Sequence, residues 1–185
     1  MSRRNWFAIT FRVMSDDSPV VLRRSFGALV ALIAICAAAN AAPQIKADHI
    51  VVIKHTRTML PMRGNKVLKT YRISLGAVPV GPKEQEGDHK TPEGNYVVDS
   101  KKPHSQFYRA FHLSYPNAAD RARARKLGVN PGGDVEIHGL GAKYGWIGAS
   151  QRLYDWTDGC IAVTNQEIDE IFSMVPVGTS VEIKP

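Results

Sequence analysis

Two side chains well separated in the sequence carry, between them, the groups needed for nucleophilic acyl transfer. Cys160 follows a glycine in Tyr154-Asp155-Trp156-Thr157-Asp158-Gly159-Cys160-Ile161-Ala162-Val163-Thr164-Asn165. That glycine lets the backbone turn tightly and bring peptide N–H groups of Gly159 and Cys160 close to an oxyanion formed by attack of the sulfur. His138 lies 22 residues upstream in Val135-Glu136-Ile137-His138-Gly139. An imidazole can take the proton of a thiol, stabilise the thiolate and later protonate a leaving amine. Taken singly, His138 reads as a satisfied surface histidine, while for Cys160 a buried, inert thiol is the alternative to a reactive one. Together with Gly139 and the Gly159 turn, they read as a base and a nucleophile.

The run 135–139 alternates and predicts a strand, with Val135 and Ile137 on one face and Glu136 and His138 on the other. Burying the two aliphatics then points the imidazole outward, toward a site, and Gly139 admits a neighbouring strand or a substrate backbone close to it. Before this run, Asp48 to Ile53 predicts a buried strand, and Met59–Met62 and Val67–Leu75 flank a Gly64-Asn65 turn, with Tyr71, Ile73 and Leu75 on one face. Residues 76–93 are rich in Gly and Pro and predict a long loop of the lid or binding kind. Strands are expected at Asn95–Asp99 and Ala110–Ser114, then a helix from Ala118 to about Leu127, capped by Asn117 and ended by Gly128. After the cysteine, Thr164 and Glu167 form a capping box for a short helix bearing Ile168, Ile171 and Phe172, and Val181–Ile183 is a last strand. The expected fold is mostly β, an antiparallel sandwich-like domain with two short helices.

Further candidates are less sharply marked. His112 sits within reach of such a site or serves structure. Tyr144, Trp146, Tyr154 and Trp156 either wall a substrate groove or form an aromatic core cluster. A zinc set of His89, His112, His138 and Cys160 lacks the close ligand pairs of zinc motifs, so neither metal nor cofactor is expected. The chain has 185 residues and a net charge of +7, with much of the positive charge in the amino-terminal leader and in Arg121 to Lys126. The second cluster reads as a solvated helix face, and no aromatic-studded basic stripe points to nucleic acid. The oligomeric state is left open, with a monomer expected.

Residues 1–42 read as a leader. Arg23-Arg24 precede an apolar run from Phe26 to Ala39 and the small-residue boundary Ala39-Asn40-Ala41-Ala42, the order of a secretory signal peptide. The run is short of the ~20 apolar residues of a membrane span. Met14 is an alternative start giving a leader of ordinary length, and Arg23-Arg24-Ser25-Phe26 leaves the twin-arginine route open beside the general one. Cleavage would place residues 43–185 in the periplasm or cell envelope as one domain, removing Cys36 and leaving Cys160 unpaired in an oxidising compartment.

His138-Gly139, then Thr157-Asp158-Gly159-Cys160-Ile161-Ala162-Val163, with Gly87-Asp88-His89-Lys90-Thr91-Pro92-Glu93-Gly94-Asn95-Tyr96 ahead of them, resemble the signature of the L,D-transpeptidase catalytic domain, the YkuD domain. The resemblance implies a β-rich sandwich-like fold and a cysteine acyltransferase of cell-wall biogenesis and cell shape. Its members form a thioester at an L-centre of a peptidoglycan stem peptide and pass the acyl group to an amine or water. Many members carry His where this chain has Asp158 and Arg where it has Ala162. The Asp-Gly-Cys-Ile-Ala version resembles a branch with a hydrolase that releases a murein-linked lipoprotein. Hydrolysis is therefore the alternative to transpeptidation, and a murein-binding module without catalysis is a weaker one. The short, apolar Ala162 is expected to leave more room beside the thiol without a donor, and Asp158 to hold either a water or the ammonium of an incoming acceptor. Amino-terminal sequencing of exported protein is expected to begin at Ala42 or Pro43; a chain still starting near Met14 would overturn the cleavage reading.

Overall fold

The computed structural model describes residues 45–185, so the leader expectations lie outside the described residues. Nine strands and three α-helices follow in order: β1 His49–Ile53, β2 Thr58–Arg63, β3 Lys66–Val67, β4 Tyr71–Arg72, β5 Gly94–Ser105, β6 Tyr108–Leu113, α1 Ala118–Leu127, β7 Glu136–His138, α2 Gly141–Tyr144, β8 Ile161–Ala162, α3 Asn165–Met174 and β9 Ser180–Lys184. A 3-10 stretch, Gly145–Leu153, continues from α2.

The sheet runs β3-β2-β1-β9-β5-β6-β7-β8, with β4 on β2. Most pairings are antiparallel, but β1 with β9 and β7 with β8 are parallel. The long β5 serves both halves: Gly94–Val97 pairs with β9 and Val98–Ser105 with β6, with register shifts after Val98 and Lys102. Such irregularities bend a strand, allowing one strand to belong to two facing layers. The far edge is stitched back by Ser74 and Ala162, which exchange backbone bonds of 3.0 and 2.9 Å. Tyr71, Ile73 and Leu75 enter the core beside Ile50, Val52, Phe111, Ile137 and Ile161, under Ile168 and Ile171 of α3.

The two expected helices are present with the expected caps. Asn117 and Asp120 form a capping box on α1, Gly128 closes it at φ 70°, and Thr164 and Glu167 form the box on α3. Three segments differ from expectation, the first being β5, which runs on to Ser105 past the expected end at Asp99. The second hairpin arm is broken into β3 and β4 rather than running from Val67 to Leu75, and residues 141–153 are helical. That stretch has glycines at 141, 145 and 148, two of them at positive φ, so the apolar periodicity that marks a helix is interrupted.

Residues 76–93 form the expected loop, and it is held by a buried cation. Lys54 on the turn after β1 is 2% exposed and donates to Gly81 O (2.6 Å), Thr91 O (2.9 Å) and Glu93 Oε1 (2.7 Å). Burial pulls its pKa down, against the pull of Glu93. All three ammonium donors are used, so the desolvation cost is offset by fixed acceptors. Lys54→Met is expected to lower unfolding free energy by about 3 kcal/mol through the orphaned acceptors; urea denaturation with an unchanged midpoint would show that the brace carries no stability.

Candidate active site

Strand register brings the expected catalytic residues onto one face. Ala110 of β6 pairs with His138 of β7, which pairs with Ala162 of β8; two residues along the ladder His112 pairs with Glu136. Continuing the β7–β8 ladder back by one residue sets Cys160 beside Glu136. Because paired residues share a face and alternate residues return to it, His112, Glu136 and Cys160 form one row, and Ala110, His138 and Ala162 the next. Phe111, Ile137 and Ile161 face the core on the other side.

His138 lies on the expected face but is not open to solvent as expected: it is 1% exposed. Alternation tells which face a residue takes and nothing of what roofs it. Here Phe107, from the β5–β6 turn, stacks on the imidazole at 4.2 Å, and Trp156 meets it edge-on at 5.9 Å. His138 Nδ1 lies 2.6 Å from Gly139 O. A carbonyl only accepts, so Nδ1 carries the proton and Nε2 keeps its lone pair, the form a general base needs. Burial pushes the His138 pKa down, outweighing the Gly139 bond and the Glu136 charge. Gly139 admits protein rather than substrate: a Cβ there would stand 2.7 Å from Asn165 Oδ1 and 2.9 Å from Phe107 O.

Cys160 is half-buried and lines a cleft of about 350 Å³ with Lys83, His89, Asp134, Asp158 and Gly159. Its Sγ donates to Asp134 O at 3.7 Å, so the thiol is turned to the β7 approach and not to the imidazole. Burial pushes its pKa up to about 11; the Glu136 backbone bond opposes this, the Glu136 and Asp158 carboxylates add to it, and Lys83 opposes them. Asp158 is 90% exposed and pairs with His89 Nδ1 at 2.8 Å, which ties the turn to the 76–93 loop. Gly159 has φ 130°, and a Cβ on it would come 2.6 Å from Lys90 O. Its N–H donates to Thr157 Oγ1 at 3.1 Å, so that donor holds the turn rather than facing an oxyanion.

The remaining candidates fall in three places. His112 bonds Asp99 Oδ1 through Nδ1 at 2.7 Å, with Nε2 3.6 Å from Asp134 Oδ1, so it braces the approach to β7 from the thiol's own row. Tyr144 and Trp156 line a second cleft of about 350 Å³ with Leu140, Ile147, Leu153 and Tyr154, and Trp156 also meets the His138 ring. Trp146 is 83% exposed, so the aromatics are a surface wall and not a core cluster. Ala162 is fully buried and bridged to Ser74, which corrects the expectation that it leaves room beside the thiol. Among the described residues no three His, Cys, Asp or Glu side chains gather as metal ligands. Sequence reasoning passed over Lys83 and Asp134; only the Lys83–Asp88 spacing in the loop could have marked the first.

With the thiol raised and the imidazole lowered, the resting pair at neutral pH is neutral thiol and neutral imidazole. Alkylation of Cys160 by iodoacetamide is expected to rise about tenfold per pH unit above pH 7, levelling only near pH 11. Asp158→Asn removes a negative charge, favours the thiolate and should move the midpoint down. A plateau already reached at pH 7 would mean a preformed thiolate–imidazolium pair.

The family model of YkuD, the L,D-transpeptidase catalytic domain, matches residues 47–183. YafK of Escherichia coli (strain K12) is 38% identical over 112 residues, which cover 60% of this chain and 38% of YafK, so the chain spans about two fifths of that relative's length. YqjB of Bacillus subtilis (strain 168) is 26% identical over 136 residues, 73% of this chain and 70% of YqjB. Among solved structures, the K307A mutant of the helical cell shape determining protein Pgp2 from Campylobacter jejuni superposes with a TM-score of 0.57 at 25% identity, covering 76% of this chain and 48% of that one. The L,D-transpeptidase of Mycobacterium smegmatis has a TM-score of 0.50 at 18% identity over 75% of this chain and 59% of its own, a likeness of fold alone. With a match that runs from Ala47 to Ile183, taking in both His138 and Cys160, the chain belongs to the L,D-transpeptidase catalytic domain family.

Proposed function

We propose that this protein is an exported cysteine acyltransferase acting on peptidoglycan stem peptides, an L,D-transpeptidase working through a thioester on Cys160. The observation that carries the reading is the placement of Cys160 in an open cleft, two residues along the β7–β8 ladder from an Nδ1-protonated imidazole on the same face. Family membership supports the reaction class, and the leader pattern of residues 1–42 supports export to the periplasm or envelope.

The resting geometry orders the steps. The thiol leaves Asp134 O and swings along its face toward His138. Nε2 takes the proton as the sulfur attacks the carbonyl carbon, forming the C–S bond and a tetrahedral oxyanion. Collapse of that intermediate breaks the C–N bond, and the imidazolium gives its proton to the departing amine. The thioester is then opened by a second stem-peptide amine, which His138 deprotonates, or by water. Since the ground-state pair is neutral, base catalysis during attack does the work a preformed thiolate would otherwise do.

Incubating the mature protein with disaccharide tetrapeptide and reading intact mass and products tests this. A thioester adduct on Cys160 and cross-linked dimers are expected. Cys160→Ala should abolish the adduct, and His138→Ala should slow its formation at least ~10²-fold, as loss of a general base does. Trimmed or released peptides alone would replace transfer by hydrolysis, including cleavage of a murein-linked lipoprotein; no adduct at all would reduce the protein to a murein binder.

A further inference from the structure

The loop at residues 76–93 brings a cation into the thiol's cleft. Lys83 is only 5% exposed, yet it lines that cleft beside Cys160 and Gly159. Its Nζ stands 3.7 Å from the position a Cβ on Gly159 would take, and its charge favours the Cys160 thiolate. Nζ donates to Asp88 Oδ1 at 2.7 Å and to Gln85 O at 3.1 Å. An ammonium has three N–H donors, so one remains for the cleft.

Asp88 is fixed more firmly than a simple counter-ion. Beyond Lys83 it accepts from the backbone N–H groups of Glu84 (2.8 Å), Gln85 (3.1 Å) and Lys90 (3.1 Å). Burial works against its charged form, but Lys83 and these three donors outweigh it and hold its carboxyl below the usual range. Lysines are rarely buried unless paired, and burying one costs solvation energy. The other basic side chain of the cleft, His89, is half exposed and tied to Asp158. Glu86, Asp134 and Asp158 also line the cleft, so an unaided anion would be repelled there.

We propose that Lys83 determines specificity: its remaining N–H takes a carboxylate of the substrate and holds it beside Cys160, with Asp88 as the positioning residue. The ligand class is an acyl donor bearing a free carboxylate near the scissile carbonyl. The inference rests on Cys160 being the reacting thiol, and it adds to the acyl-transfer reading the group by which the donor is chosen.

Two small alkylating reagents test it without any peptidoglycan. Iodoacetate and iodoacetamide both lose iodide to the same thiolate, so the ratio of their rates cancels changes in thiolate fraction and reports the carboxylate alone. In Lys83→Met the iodoacetate-to-iodoacetamide ratio is expected to fall about tenfold, the size of one lost hydrogen bond to a charged group, and Lys83→Arg should retain it. Asp88 keeps its three backbone donors in Lys83→Met; Lys83→Gln, which also keeps a donor toward Asp88, should show the same fall and serves if the methionine variant does not fold. A ratio unchanged in Met and Gln variants, with both rates moving together, would make Lys83 a loop brace only and overturn the proposal. An absent thioester with stem peptide, beside a ratio that falls as expected, would instead overturn the proposed reaction and leave the carboxylate site standing.

Discussion

The close approach of the Lys90 carbonyl to Gly159 is the contact on which the site's architecture turns. A side chain at 159 would begin 2.6 Å from that oxygen, and the backbone there has φ 130°, so only glycine satisfies both. Granted that fit, the 76–93 loop can lie against the cysteine turn, where His89 reaches Asp158 and Lys83 reaches the cleft. From the other side, Leu75 O accepts from Trp156 N and Thr157 N, and Ala77 N returns a bond to Thr157 O. Cys160 is therefore held between the 75–77 backbone and the 76–93 loop, both remote from it in sequence.

The electrostatics follow from the same enclosure. Desolvation is the largest influence on both His138 and Cys160, and it drives them in opposite directions, each toward its neutral form. Glu136, buried in the thiol's row and paired with Lys102 at 2.6 Å, adds a negative potential that disfavours the thiolate and favours the imidazolium. The site thus rests uncharged at His138 and Cys160 while its rim carries charges of both signs.

How much of this was legible in the chain depended on how local the determinant was. Helices α1 and α3 were readable because Asn117, Asp120, Thr164 and Glu167 sit within one turn of what they cap. The face shared by Glu136 and His138 followed from a period of two. The roof over His138 did not, because Phe107 and Trp156 come from segments 31 and 18 residues away and nothing in their neighbours announces the destination. The parallel β7–β8 pairing likewise needs the whole sheet, and the helical stretch 141–153 was hidden by its glycines. Family resemblance strengthened the pairing of His138 with Cys160 that residue types and flanking glycines suggested, but it said nothing of Lys83.

The hydrogen bond from Cys160 to the Asp134 carbonyl has a bearing on chemical durability. Peroxides and disulfides attack thiolates far faster than thiols. A sulfur kept protonated and turned to a backbone oxygen offers such oxidants little to react with, although it stands at the wall of an open cleft. The burial that keeps the Cys160 thiol protonated thus also slows its ageing.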